Sequence, residues 1–75
     1  MTRNETAVFT DAMKYLDTFN DPPARSDPAS ESWWKRTADA LSAFINAHGR
    51  HPLAMEMGVA IYSYIEVKAK AKGGA

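Results

Sequence analysis

The chain has 75 residues, 45% hydrophobic and 24% charged, with no cysteine and a formal net charge of zero. That length allows one domain with a small core, the composition is globular rather than disordered, and the missing thiols exclude disulfides and cysteine-ligated metals. Zero net charge argues against a strong whole-molecule field toward nucleic acid or membranes.

The charge is unevenly spread. Residues 1–34 carry three basic against six acidic side chains, and residues 35–75 carry six against three. Opposite signs on the two halves suit head-to-tail or antiparallel packing. No run approaches the roughly 20 apolar residues of a membrane span, and the N-terminus lacks the apolar core of a signal peptide. The expectation is a cytoplasmic protein with no membrane contact.

A first helix is predicted over about residues 3–19. Thr2 and Glu5 form a capping-box pattern at its start, and Val8, Phe9, Ala12, Met13, Leu16 and Phe19 follow one apolar stripe. Residues 20–27 then read as a linker, because Asn20-Asp21-Pro22-Pro23 and the following stretch to Pro28 combine turn formers with prolines that cannot continue a helix. This is the expected site of greatest interior mobility.

A second helix is predicted over about 28–48, with Asp27 as N-cap and Pro28 at the first helical position. Trp34, Ala38, Leu41, Ile45 and His48 share one face, flanked by Trp33, Thr37 and Phe44. Gly49 closes the helix in the left-handed conformation. A third helix is predicted over about 52–70, opening on Pro52, with a frayed tail over 71–75. Helices two and three therefore form an αα-hairpin with a very short connection.

The third helix has too much apolar surface for one neighbour. Leu53, Met57, Ile61, Tyr64 and Ile65 make one stripe, and Met55, Val59 and Tyr62 make a second, read as roughly opposite. A chain this short has little left to cover both, and a small core needs some further staple. Met55, Val59 and Tyr62 are thus the candidate subunit interface.

Residues able to carry chemistry are few. His48 and His51 form a His-x-x-His pair with Glu56 beyond it, but they straddle a glycine turn, whereas a helical zinc site wants His at i and i+4. Their expected roles are a helix C-terminal residue and an N-cap. Ser42 and Ser63 lack a nucleophile context, and no carboxylate pair is evident. The reading is no enzyme, no metal and no cofactor.

Trp33-Trp34-Lys35-Arg36 admits a nucleic-acid reading, since aromatics stack bases and cations contact phosphates. The basic edge would comprise Lys35, Arg36, Arg50, Lys68, Lys70 and Lys72. A helix-turn-helix reading fails at the start of helix three, where Leu53, Met55, Glu56 and Met57 stand in place of polar base-reading groups.

The pattern Trp33-Trp34, Ala38, Leu41, His51-Pro52-Leu53-Ala54, Ile61-Tyr62-Ser63-Tyr64-Ile65-Glu66 and Lys68 resembles short uncharacterised helical proteins of bacterial prophages and mobile elements. The resemblance spans about residues 28–70 and brings no catalytic motif. It implies a small bacterial helical protein.

The sequence thus predicts a single all-α domain over residues 1–75, with helix one packed across the hairpin or across a partner subunit. The expected function is a protein–protein interaction or assembly module, homo-oligomeric with a dimer favoured, or one that meets an unidentified protein partner. The alternative is a small nucleic-acid-associated regulatory protein using the basic edge.

Overall fold

A computed structural model describes residues 1–72, and the regular elements among them are three helices: α1 (Arg3–Thr18), α2 (Ser30–Ala47) and α3 (Pro52–Lys72). Each helix packs on the other two, so α1 lies across the hairpin within its own chain. The protein is all-α.

Local chemistry explains the helix ends. Glu5 N–H donates to Thr2 Oγ1 at 3.1 Å and Thr2 N–H donates to Glu5 Oε1 at 2.6 Å, closing the expected capping box. Those bonds to Thr2 hold the Glu5 carboxyl below its ordinary pKa.

The start of α2 differs from expectation. Asp27 O accepts from Ser30 N–H at 3.0 Å, and Ala29 sits at φ −80, ψ −5. Asp27, Pro28, Ala29 and Ser30 thus make a type I β-turn, which favours Asp at its first position and Pro at its second. Asp27 Oδ1 accepts from Ala29 N–H at 2.8 Å, so its side chain serves the turn, and the helix begins two residues later than Pro28. The residue that caps α2 is Ala29, which offers no side-chain bond. At the other end α3 runs on to Lys72, past the predicted limit at residue 70. Residues 73–75 of the expected frayed tail lie outside the described residues.

The hairpin turn is a Schellman closure. Arg50 N–H reaches Ile45 O at 3.0 Å and Gly49 N–H reaches Asn46 O at 3.0 Å. Gly49 has φ +60 as expected, and Arg50 follows it at φ +58. No atom lies within 4 Å of where a Gly49 Cβ would stand, so the penalty for a side chain there is purely a backbone one. Gly49→Val is expected to cost about 1–2 kcal/mol, since β-branching worsens left-handed strain. An unchanged denaturation midpoint would show that the turn tolerates a Cβ.

The core mixes alanines with a few larger side chains. Val8 and Ala12 of α1, Phe44 of α2 and Ala54 of α3 form its centre, with Ile45, Leu53, Met57 and Ile61 packed around it. Along α3 the most buried positions are Ala54, Gly58, Ile65 and Ala69. Ile65 belongs to the first predicted stripe, and Ala54, Gly58 and Ala69 lie between the two stripes. The stripes are therefore flanks of one buried seam rather than opposite faces, and both α1 and α2 pack onto that seam. Tyr64, assigned to the first stripe, is half exposed.

Helices α1 and α2 are also rotated from their predicted settings. Thr37 and Phe44, read as flanking, are the buried centre of α2, while Ala38 faces solvent. In α1, Tyr15 is buried, whereas Phe9 and Met13 of the predicted stripe are exposed. The cause is polar. Tyr15 Oη donates to the Thr37 carbonyl at 3.1 Å and the Tyr15 ring stacks on Phe44 at 6.2 Å, while Thr37 Oγ1 donates to Trp33 O at 2.9 Å. With their polar atoms bonded, a tyrosine and a threonine can occupy the core.

Burial pushes the Tyr15 hydroxyl up from 10.0 to about 12, with Tyr62 adding a smaller push. The unfolded chain then releases this proton first, so stability is full below about pH 10 and falls as pH rises toward 12. Tyr15→Phe is expected to cost roughly 1 kcal/mol at neutral pH through the lost hydrogen bond. It should also flatten the alkaline decline in melting temperature relative to the unmodified chain. Parallel declines for both proteins would contradict this.

Candidate interaction surface

The predicted linker is fastened at several points. Pro22 is fully buried. Lys68 Nζ donates to the Asn20 carbonyl at 2.6 Å and to its Oδ1 at 2.5 Å, and Lys72 pairs with Asp21. The Lys72 ammonium holds the Asp21 carboxyl below its ordinary pKa. A stretch expected to be the most mobile in the interior is thus anchored to the last turns of α3.

Each histidine has a separate task. His48 Nε2 lies 2.8 Å from Asp11 Oδ2, tying the end of α2 to α1. His51 Nδ1 accepts from Leu53 N–H at 3.1 Å, capping the start of α3. The sequence reading of His51 as an N-cap matches this bond. The tie from His48 to Asp11 was not foreseen, because the two residues are 37 positions apart. Among the described residues no group of three metal-binding side chains converges.

The basic edge is not one surface. Lys68 and Lys72 face the linker, and Lys35 and Arg36 are exposed near the start of α2. Arg50 sits at the hairpin turn, more than a dozen residues along from Arg36. At about 1.5 Å per residue that places it roughly 20 Å away, at the opposite end of the bundle. Lys70 shares a cleft of about 270 Å³ with Arg25, Ser30, Trp34, Tyr62 and Glu66, so cation and carboxylate sit together there.

The candidate interface residues divide two to one. Met55 is 39% exposed and Val59 58% exposed, both on the flank of α3 that carries Tyr62. Tyr62, on the same flank, is half-buried and meets Trp34 edge to face at 5.6 Å. It braces the hairpin, so Met55 and Val59 are the accessible pair. Sequence spacing alone missed Val67, which is 63% exposed on the side of α3 turned away from both neighbours. The signal available was spacing, since Val67 falls one turn beyond Ser63 and two beyond Val59 and Ala60 on the same outer side, in a helix whose residues 57–65 carry no charge. A solvated helix face normally carries charged residues.

No protein-family model, curated protein or solved structure matches this chain. No described helix is long and apolar enough to cross a membrane.

Proposed function

We propose that this chain is a small, non-catalytic helical interaction module that assembles as a homo-oligomer, most simply a dimer, through the uncovered side of α3. The observation that carries this reading is the exposure of Met55, Val59 and Val67 on a helix whose residues 57–65 are uncharged. Contiguous exposed apolar surface marks contact sites in soluble proteins, and two-fold self-association is its commonest use. A core with few large buried side chains adds support, because a fold this small gains from further burial.

A nucleic-acid role through Lys35, Arg36, Arg50, Lys68, Lys70 and Lys72 ranks second, since two of these cations are engaged by the linker. Salt-sensitive binding to DNA or RNA is its signature.

The test is molar mass by light scattering and sedimentation. A dimer at high micromolar concentration is expected, with a melting temperature that rises with protein concentration as linkage requires. Val59→Glu should yield the monomer with its helical signal retained, because a buried unpaired carboxylate is costly. A one-chain mass at high micromolar concentration would reject the assembly reading.

A further inference from the structure

The outer side of α3 presents Glu56, Ala60, Ser63 and Val67, with Val59 and Lys70 at its edge toward the flank that carries Tyr62. Of these six, Lys70 is exposed along with the rest. Ser63 lies at the middle of this set. Glu56 is seven residues before it and Lys70 seven after, while Val59 is four before and Val67 four after. A seven-residue spacing returns to nearly the same helix face, drifting by only about 20° per repeat. The set is therefore a continuous stripe, apolar and small in the middle, acidic at one end and basic at the other.

We propose, on the assembly reading above, that a second copy of this chain docks on this stripe as an antiparallel α3–α3 pair whose two-fold axis passes at Ser63. That axis sets Ser63 against the partner's Ser63 and Val59 against the partner's Val67. It also sets Glu56 against the partner's Lys70. The contact at Ser63 lies on the axis and occurs once, and each of the other two occurs twice.

Charge selects the direction. A parallel pair in register would oppose Glu56 to Glu56 and Lys70 to Lys70, whereas the antiparallel pair matches opposite signs at both ends. Both groups are available for this, because among the described residues neither Glu56 nor Lys70 makes an ion pair. Glu66 shares a cleft with Lys70 but makes no ion pair with it. Size selects the centre. Ala60 and Ser63 let the two backbones approach closely, and flanking valines fill the space on either side, as in left-handed crossings of about 20°.

The absence of cysteine makes the register directly testable. Helix axes about 9–10 Å apart, each with Cα atoms about 2.3 Å from its axis, put facing Cα atoms about 4.4–5.4 Å apart, inside the roughly 4.4–6.8 Å that a disulfide spans. Ser63→Cys, nearly the same size, should therefore oxidise to a covalent dimer at low micromolar concentration. Lys35→Cys, exposed on α2 and off the stripe, is the control and should cross-link at least about tenfold more slowly. Glu56→Lys and Lys70→Glu should each weaken dimerisation by about tenfold, since each opposes like charges in both symmetric pairs. The combined variant should recover most of that loss.

A dimer in solution whose Ser63→Cys variant cross-links no faster than Lys35→Cys would overturn this register and leave the assembly reading standing. Failure of the combined charge variant to recover would do the same. A monomer at high micromolar concentration would reject both.

Discussion

Phe44→Ala is expected to remove about 3–5 kcal/mol of folding stability, the range for truncating a buried aromatic. For a chain of this length that is a large part of the whole, since domains hold roughly 0.05–0.15 kcal/mol per residue. Phe44 is nearly fully buried, at the point where all three helices meet. Its ring stacks on Tyr15 of α1, touches His48 edge-on at 5.3 Å, and lies 3.4 Å from the position a Gly58 Cβ would occupy on α3. Truncation opens a cavity bounded by three backbones that cannot close on it without losing the α1 contacts. Denaturant titration followed by circular dichroism should show a largely unfolded variant at room temperature. A loss below about 1 kcal/mol would mean that the three helices do not share this centre.

Gly58→Val is expected to cost about 1–3 kcal/mol through overpacking, lowering the melting temperature by several degrees for each kcal/mol. A Cβ at Gly58 would stand 2.6 Å from Leu41 Cδ1 and 3.4 Å from Phe44 Cδ2 and Cε2. The first distance is shorter than real contacts allow, and a β-branched side chain adds atoms on both sides. Gly58→Ala should be far milder, because the flexible end of Leu41 can move and alanine regains about 1 kcal/mol of helix propensity. Steric origin is checked by a double-mutant cycle. Leu41→Ala combined with Gly58→Val should be less destabilised than the two single variants added together. Additive losses would show that the glycine serves some purpose other than admitting Leu41.

Helix existence, order and handoff were legible because their signals are local. The Thr2–Glu5 box, the prolines of the linker, Gly49 and Pro52 each act on neighbours within four residues, and three helices follow from them. The turn before α2 shows the limit of that reading. Asp27-Pro28 is equally good at opening a helix or a type I turn, and only the backbone path from the linker decides between them.

Faces were less legible than elements. Large apolar residues drew attention to Leu53, Met57, Ile61 and Ile65, and Ile65 is fully buried, yet the other buried positions of α3 are Ala54, Gly58 and Ala69. Small residues carry little hydrophobic signal and much geometric consequence, since they set how near two helices can come. Tyr15 was passed over, and Thr37 read only as flanking, for the converse reason: their polar atoms argue for solvent until a partner 22 residues away satisfies both burial and bonding.

The candidate surface divides along the same line. That α3 holds more apolar surface than one partner can cover was readable from composition and period alone. Which side stays uncovered was not, because it depends on α1 and α2 both docking on one seam. The sequence by itself determined three helices, a glycine-closed hairpin and an uncharged mid-section of α3, all consequences of short-range backbone and side-chain preferences. Only the tertiary structure decided that Tyr62 is spent on Trp34, that Lys68 and Lys72 clamp the linker, and that Val59 and Val67 remain outside. Those outcomes turn on contacts between residues far apart in the chain, where packing density and hydrogen-bond satisfaction overrule the pattern along any single helix.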